Sequence, residues 1–215
     1  VGAFYLPKNH GGKGILMGGV TGVMPGKVTI IGGGVVGTNA AKMAVGLGAQ
    51  VTILDVSTSR LEYLDDIFQG RCQTLFSNAQ NIENSVRESD LVVGGVLLAG
   101  QKAPTLVSKE LISQMTKGSV VVDVAVDQGG CIETCRPTSH TTPTYEVDGV
   151  IHYCVPNMPG VVPRTSTYAL TNVTLKYGSM IAAMGVEDAI AKNKALMKGL
   201  KVYGGYVCYE PVAKD

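Results

Sequence analysis

Three glycines at a fixed spacing, Gly32, Gly34 and Gly37, stand between the apolar run Val28–Ile31 and a segment of helical length. In a G-x-G-x-x-G turn the first glycine allows the tight bend and the second lets backbone approach a diphosphate. The third lets helix and strand pack closely. Val35 and Val36 fill the variable positions, so their amides open the helix, where free N–H groups and the positive end of the helix dipole favour an anion. Asp55 closes the next apolar run 18 residues after Gly37, where a carboxylate accepts hydrogen bonds from both hydroxyls of an adenosine ribose. A 2′-phosphate would be repelled there. The spacing therefore predicts NAD as cofactor in preference to NADP, with Arg60 the nearby cation that complicates the preference.

Two further loops follow apolar runs, at the strand ends where open α/β sheets bind ligands. One is GGVLLAGQKAP, Gly94–Pro104; the other is DVAVDQGGC, Asp123–Cys131. Asp127, beside Gln128 and a Gly-Gly pair, offers a charge on flexible backbone, and a loop cap is an equal alternative for it. Asn157 and Met158, in VPNMPG, follow a sixth run and are expected at the same edge. His152 lies mid-strand and is expected to pack. His10 and His140 lie in loops where solvation is the default. No Ser/His/Asp order appears, and no cluster has metal-ligand spacing.

The elements that must position these residues are legible as alternation. Apolar and β-branched runs recur at Val28–Ile31, Val51–Leu54, Cys72–Phe76, Leu91–Val93, Ser119–Asp123 and Val150–Val155, predicting six strands. Helical segments fall at Gly37–Leu47, Thr58–Phe68, Ala79–Arg87 and Ser108–Met115. The expected fold is α/β, a Rossmann-like, doubly wound and mostly parallel sheet built from right-handed crossovers. Ser77 with Gln80 predicts a capping box for the third helix, and Gly48 closes the first. After Pro163 the alternation stops. Thr165–Met184 reads as one long helix, and VYGGYVCY, Val202–Tyr209, as a small hairpin around Gly204 and Gly205. The Gly-rich entry His10–Gly22 reads as a close-packed connecting loop.

Composition narrows the function classes. The 215 residues are 45% apolar and 16% charged, with 28 glycines and no tryptophan, which suits a buried parallel sheet. Eighteen basic against 17 acidic residues provide no field for nucleic acid or a membrane surface. No apolar run is long enough to cross a bilayer. Five cysteines without paired spacing read as reduced thiols, so a cytoplasmic location is expected. Val1, followed by apolar VGAFYL, reads as the tail of an element already under way.

The strings AVDQGGC, HYCVPNMPGVVPRTSTYALTN, GVLLAGQKAPTLVS and GKGILMGGVTGV together resemble the bacterial L-alanine dehydrogenase family over essentially the whole chain. Pro156 departs from the alanine common there. The resemblance implies NAD-dependent, reversible oxidative deamination of L-alanine to pyruvate and ammonium, and a homo-oligomer. By resemblance Asp127 is the active-site aspartate, Asn157 and Met158 meet the nicotinamide side, and Asp55 binds ribose. Ser77 lies near the adenine, and Val96 and Leu97 form the cofactor wall. The resemblance also divides the chain into an NAD-binding domain, residues 1–163, and a C-terminal part of the substrate domain, residues 164–215. The family's carboxylate-binding and acid–base residues lie in a preceding domain. These residues alone are therefore expected to bind NAD and turn over poorly without a complementary N-terminal fragment. Two other readings stand beside this one: a non-catalytic NAD-binding or oligomerisation module, and a transhydrogenase NAD-binding domain, against which the DQGG loop speaks.

Overall fold

The computed structural model describes residues 1–97 and 103–209. Contacts divide the chain into two compact units, Val1–Pro156 and Asn157–Asp215. In the first, a short helix α1 (Gly2–Tyr5) and the Gly-rich entry precede β1 (Lys27–Ile31), α2 (Val35–Gly46), β2 (Gln50–Asp55) and α3 (Thr58–Phe68). There follow β3 (Cys72–Phe76), α4 (Ala79–Glu88), β4 (Leu91–Gly94), α5 (Lys109–Ser113), β5 (Val120–Asp123), β6 (Thr144–Val147) and β7 (Val150–Tyr153). The sheet order is β3-β2-β1-β4-β5-β7-β6, with every pair parallel except β6–β7. The order reverses between β1 and β4, which opens a crevice at their carboxyl ends.

The strands form because their apolar runs are covered on both faces, as parallel sheets require. Ile31, Leu54 and Val92 pack with Ile82, Val86 and Ile112 under α4 and α5. Ile30 and Ile53, also fully buried, alternate with them along β1 and β2 and face the other way. Each such side chain contributes about 1.5–3 kcal/mol on burial.

Two expectations are corrected. The main sheet has seven strands instead of six, because Thr144–Val147 pairs antiparallel with β7 through a turn at Asp148 and Gly149. The α4 cap is Asn78, whose Oδ1 accepts the Asn81 amide at 2.8 Å, and not Ser77. The Ser77 amide is already bonded to the Asp55 carbonyl at 2.9 Å, extending the β2–β3 ladder, so the helix begins one residue later.

The second unit is helical. α6 (Pro163–Met184) starts with proline in its first turn and is followed by α7 (Val186–Lys192), α8 (Lys194–Gly199) and a hairpin of β8 (Val202–Tyr203) and β9 (Tyr206–Val207). Tyr177, Ile181, Ile190, Leu196 and Leu200 line an apolar cavity of about 430 Å³ among its helices. No described helix is long and apolar enough to cross a membrane.

Candidate functional site

The turn after β1 is held in place by backbone. The Gly32 amide donates to the Leu54 carbonyl at 2.8 Å, the Gly95 amide donates to the Ile31 carbonyl at 2.8 Å, and Gly32 sits at φ +96°. A Cβ on Gly37 would lie 1.9 Å from the Gly32 carbonyl oxygen, so no other residue fits. Gly34 differs: among the described residues a Cβ there would meet nothing within 4 Å. Gly34 is also the N-cap of α2 and has no side chain to bond the first-turn amides. The amides that open α2, at Val35 and Val36, thus face open space at the positive end of a 12-residue helix, which suits a diphosphate.

Asp55 ends β2 with both carboxylate oxygens oriented. Oδ2 accepts the Gly33 amide at 2.7 Å and Oδ1 the Ser57 amide at 2.8 Å. Each oxygen keeps a further lone pair for a hydroxyl donor. Arg60 is committed to the turn. Its Nε donates to the Gly33 carbonyl at 2.6 Å, its second guanidinium nitrogen to Thr38 Oγ1 at 2.7 Å, and its plane lies 4.7 Å from the Tyr63 ring centre. Thr38 Oγ1 in turn lies 2.8 Å from the Gly34 carbonyl, so arginine, threonine and turn form one hydrogen-bonded group.

A cavity of about 470 Å³ opens at the switch point. It gathers Gly32, Gly34, Val35, Val36, Asp55, Ser77, Val96 and Leu97 from separate parts of the sequence. Gly37 and Arg60 brace this wall without lining it. Val56, Pro104 and Leu106 also line it and were missed by the sequence reading; Pro104 closes a loop that had been singled out, but the apolar identity of the wall had no motif to reveal it. Residues 98–102 of that loop lie outside the described residues.

The loop after β5 lies beside this wall, because Asp123 is in register with Gly94 and the Val124 amide donates to the Gly94 carbonyl at 2.9 Å. Asp127 sits exposed on a 3-10 turn, Val126–Gln128. The cap of the loop is Asp123, fully buried, which bonds the Ala125 amide at 3.0 Å and the Cys131 amide at 3.1 Å. Sequence reasoning missed Asp123; its place at the end of an all-valine strand was the available signal. Burial pushes its carboxyl above the ordinary value against the pull of those amides, and Asp127 adds to the rise. The neighbouring Cys131 thiol is pushed up to about 12, by burial first and the Asp123 charge second, which makes it a poor nucleophile at neutral pH.

Asn157 and Met158 belong to the second unit, where Met158 begins a 3-10 turn, Met158–Val161. His152 is fully buried, with Nδ1 2.9 Å from the Val150 carbonyl and Nε2 2.7 Å from Thr134 Oγ1. Burial lowers its pKa, and it packs on the Tyr145 ring. Among the described residues no group of three or more His, Cys, Asp or Glu is placed to hold a metal.

Comparison with known proteins matches this architecture. The family model described as alanine dehydrogenase/PNT, C-terminal domain, matches residues 1–210. Alanine dehydrogenase of Methanococcus maripaludis is 60% identical over 215 residues, all of this chain and 58% of that protein. That of Bacillus subtilis is 60% identical over 216 residues, 57% of its length. A solved L-alanine dehydrogenase structure superposes with a TM-score of 0.94 at 56% identity, covering 99% of this chain and 59% of that one. A transhydrogenase from Sinorhizobium meliloti superposes at 0.59 with 30% identity over 69% of this chain and 42% of its own. The chain thus spans somewhat more than half the length of the alanine dehydrogenases it matches. With a glycine turn, an oriented acid at the end of β2 and a switch-point cavity in a seven-stranded sheet, and a family model covering residues 1–210, the chain belongs to the alanine dehydrogenase/PNT C-terminal domain family.

Proposed function

We propose that these residues bind NAD and form part of an alanine dehydrogenase, in which L-alanine, NAD and water give pyruvate, ammonium, NADH and a proton. The observation that carries this reading is the switch-point cavity, where the open amides of α2 and the oriented carboxylate of Asp55 converge. When bound, NAD supplies the hydride acceptor. The α2 amides hold the diphosphate, Asp55 clasps the adenosine ribose and rejects a 2′-phosphate, and Ser77 lies toward the adenine. Val96 and Leu97 form an apolar wall that excludes water, and Arg60 and Thr38 keep the turn in its binding shape. By the family resemblance, Asp127, exposed at the neighbouring strand end, is assigned to the substrate, and Asn157 and Met158 to the nicotinamide end. Residues 164–215 are read as the returning part of the substrate domain.

Asp127 alone cannot hold a substrate carboxylate, accept a proton and orient the amine. We assign the carboxylate-binding and acid–base groups to polypeptide that accompanies these residues in the active assembly. Tyr168, Leu170, Val173 and Leu175 are more than half exposed on α6, which supports assembly into a homo-oligomer, and the free thiols support a cytoplasmic setting. The test measures NADH formation from alanine by the chain alone and after addition of the complementary fragment of a relative, alongside NAD binding by calorimetry. Binding alone and turnover only on reconstitution are expected. No NAD binding would overturn the assignment, and full turnover by the chain alone would overturn the division of labour.

A further inference from the structure

Among the described residues the buried carboxylate of Asp123 has no cationic partner. Its partners are backbone: the amide two residues on, at Ala125, and the amide eight residues on, at Cys131. One side chain therefore ties both ends of the loop that carries Asp127. Inside the tie, the Gln128 and Gly130 amides fold back on the Ala125 carbonyl at 2.9 and 3.0 Å, so the loop has a single hydrogen-bonded shape. Gly130, at φ +58°, is the space the carboxylate occupies: a Cβ there would lie 2.4 Å from Asp123 Oδ2.

Removing a carboxylate from water is unfavourable, and an apolar residue at the end of the valine strand would avoid it. An amide side chain would not serve equally, since asparagine has one acceptor atom and would turn its NH₂ toward a backbone N–H. Two well-separated amides aimed at two oxygens of one side chain require the carboxylate. The loop so fixed is the one that begins at the Gly94 carbonyl, next to the cavity wall formed by Gly95, Val96 and Leu97.

We propose that Asp123 is a positioning residue for the reaction: its carboxylate clamps residues 124–131 so that Asp127 is presented beside the cavity in one orientation. The proposal rests on the reading of Asp127 given above. Its test uses the reconstituted assembly with Asp123→Asn, Asp127→Asn and both together, and compares them for kcat, KM for NAD and affinity for ADP, which reaches only the adenosine end. Expected are a fall in kcat of roughly a hundredfold for Asp123→Asn, ADP affinity within about twofold, and no further loss when Asp123→Asn is added to Asp127→Asn. Gly130→Ala, which attacks the same carboxylate from the other side, should reproduce the pattern if Asp123→Asn folds poorly.

A kcat near that of the unaltered protein in both variants, or losses that multiply with Asp127→Asn, would overturn the proposal. If the unaltered assembly oxidises no alanine, the functional reading fails instead. Hydrogen exchange on the chain then decides the clamp: faster exchange of the Ala125 and Cys131 amides in Asp123→Asn supports it, and unchanged exchange overturns it.

Discussion

The turns after β1 and after β5 sit two strands apart on the same edge of one sheet and are built by opposite means. The first is shaped by what is missing: Gly37 admits the Gly32 carbonyl because it has no Cβ, and Gly34 leaves an open floor. The second is shaped by what is present, a carboxylate spanning the loop from Ala125 to Cys131. A turn made by absent atoms tolerates no addition at its contact points. A turn made by one side chain tolerates changes along its length but not the loss of its clamp.

This contrast can be broken most severely at Gly37. Gly37→Ala places a methyl against a backbone oxygen that cannot move without unpairing β1 from β2. We expect a stability loss of about 3 kcal/mol and no measurable nucleotide binding, read by denaturant melts and calorimetry. Equal stability in that variant would show that the turn is more pliable than its contacts indicate.

Gly34→Ala separates fold from function. Its backbone, at φ −64° and ψ −162°, is open to any residue. Replacing the N-cap glycine by alanine costs about 0.5–1 kcal/mol, and restricting the unfolded chain returns about 0.4–1 kcal/mol. Stability should stay within about 1 kcal/mol, while the new methyl stands where the diphosphate would lie and weakens NAD binding by roughly tenfold. Unchanged affinity would place the diphosphate elsewhere.

The smallest effect is expected beyond the clamped loop, at His152. Its folded pKa lies below the ordinary 6.5 because burial disfavours the cation. The unfolded chain therefore takes up a proton first as pH falls. Stability from this group is fully present above 6.5 and is lost as pH falls from there to the depressed folded value, with a slope of at most about 1.4 kcal/mol per pH unit. His152→Gln should flatten that part of the stability–pH curve, as measured by urea midpoints; an unaltered curve would assign the acid sensitivity to other groups.

Much of the first turn was legible in the sequence because glycine spacing encodes backbone geometry directly, and the runs Val28–Ile31 and Val51–Leu54 named the strands around it. The β6 strand was not, because Thr144–Val147 is half polar and lies at an edge, although the Asp148–Gly149 pair, at φ +52° and +83°, carries the hairpin signal. The α4 cap was misplaced by one residue because both Ser77 and Asn78 can cap, and only the ladder bond of Ser77 decides between them. The clamp at Asp123 was hidden for a deeper reason. Its partners are amides, which every residue carries, so its role depends on loop geometry that no side-chain pattern records.

Arg60 has a consequence for anyone wishing to change coenzyme. Its guanidinium is already spoken for by the Gly33 carbonyl and Thr38, and the same two bonds keep the glycine turn in shape. With Asp55 at the ribose as proposed, neutralising it would lift repulsion without creating attraction, since recruiting Arg60 to a 2′-phosphate would unfasten the turn. An engineered switch therefore needs a new positive charge grafted onto the β2–α3 connection, with the native arginine left where it is.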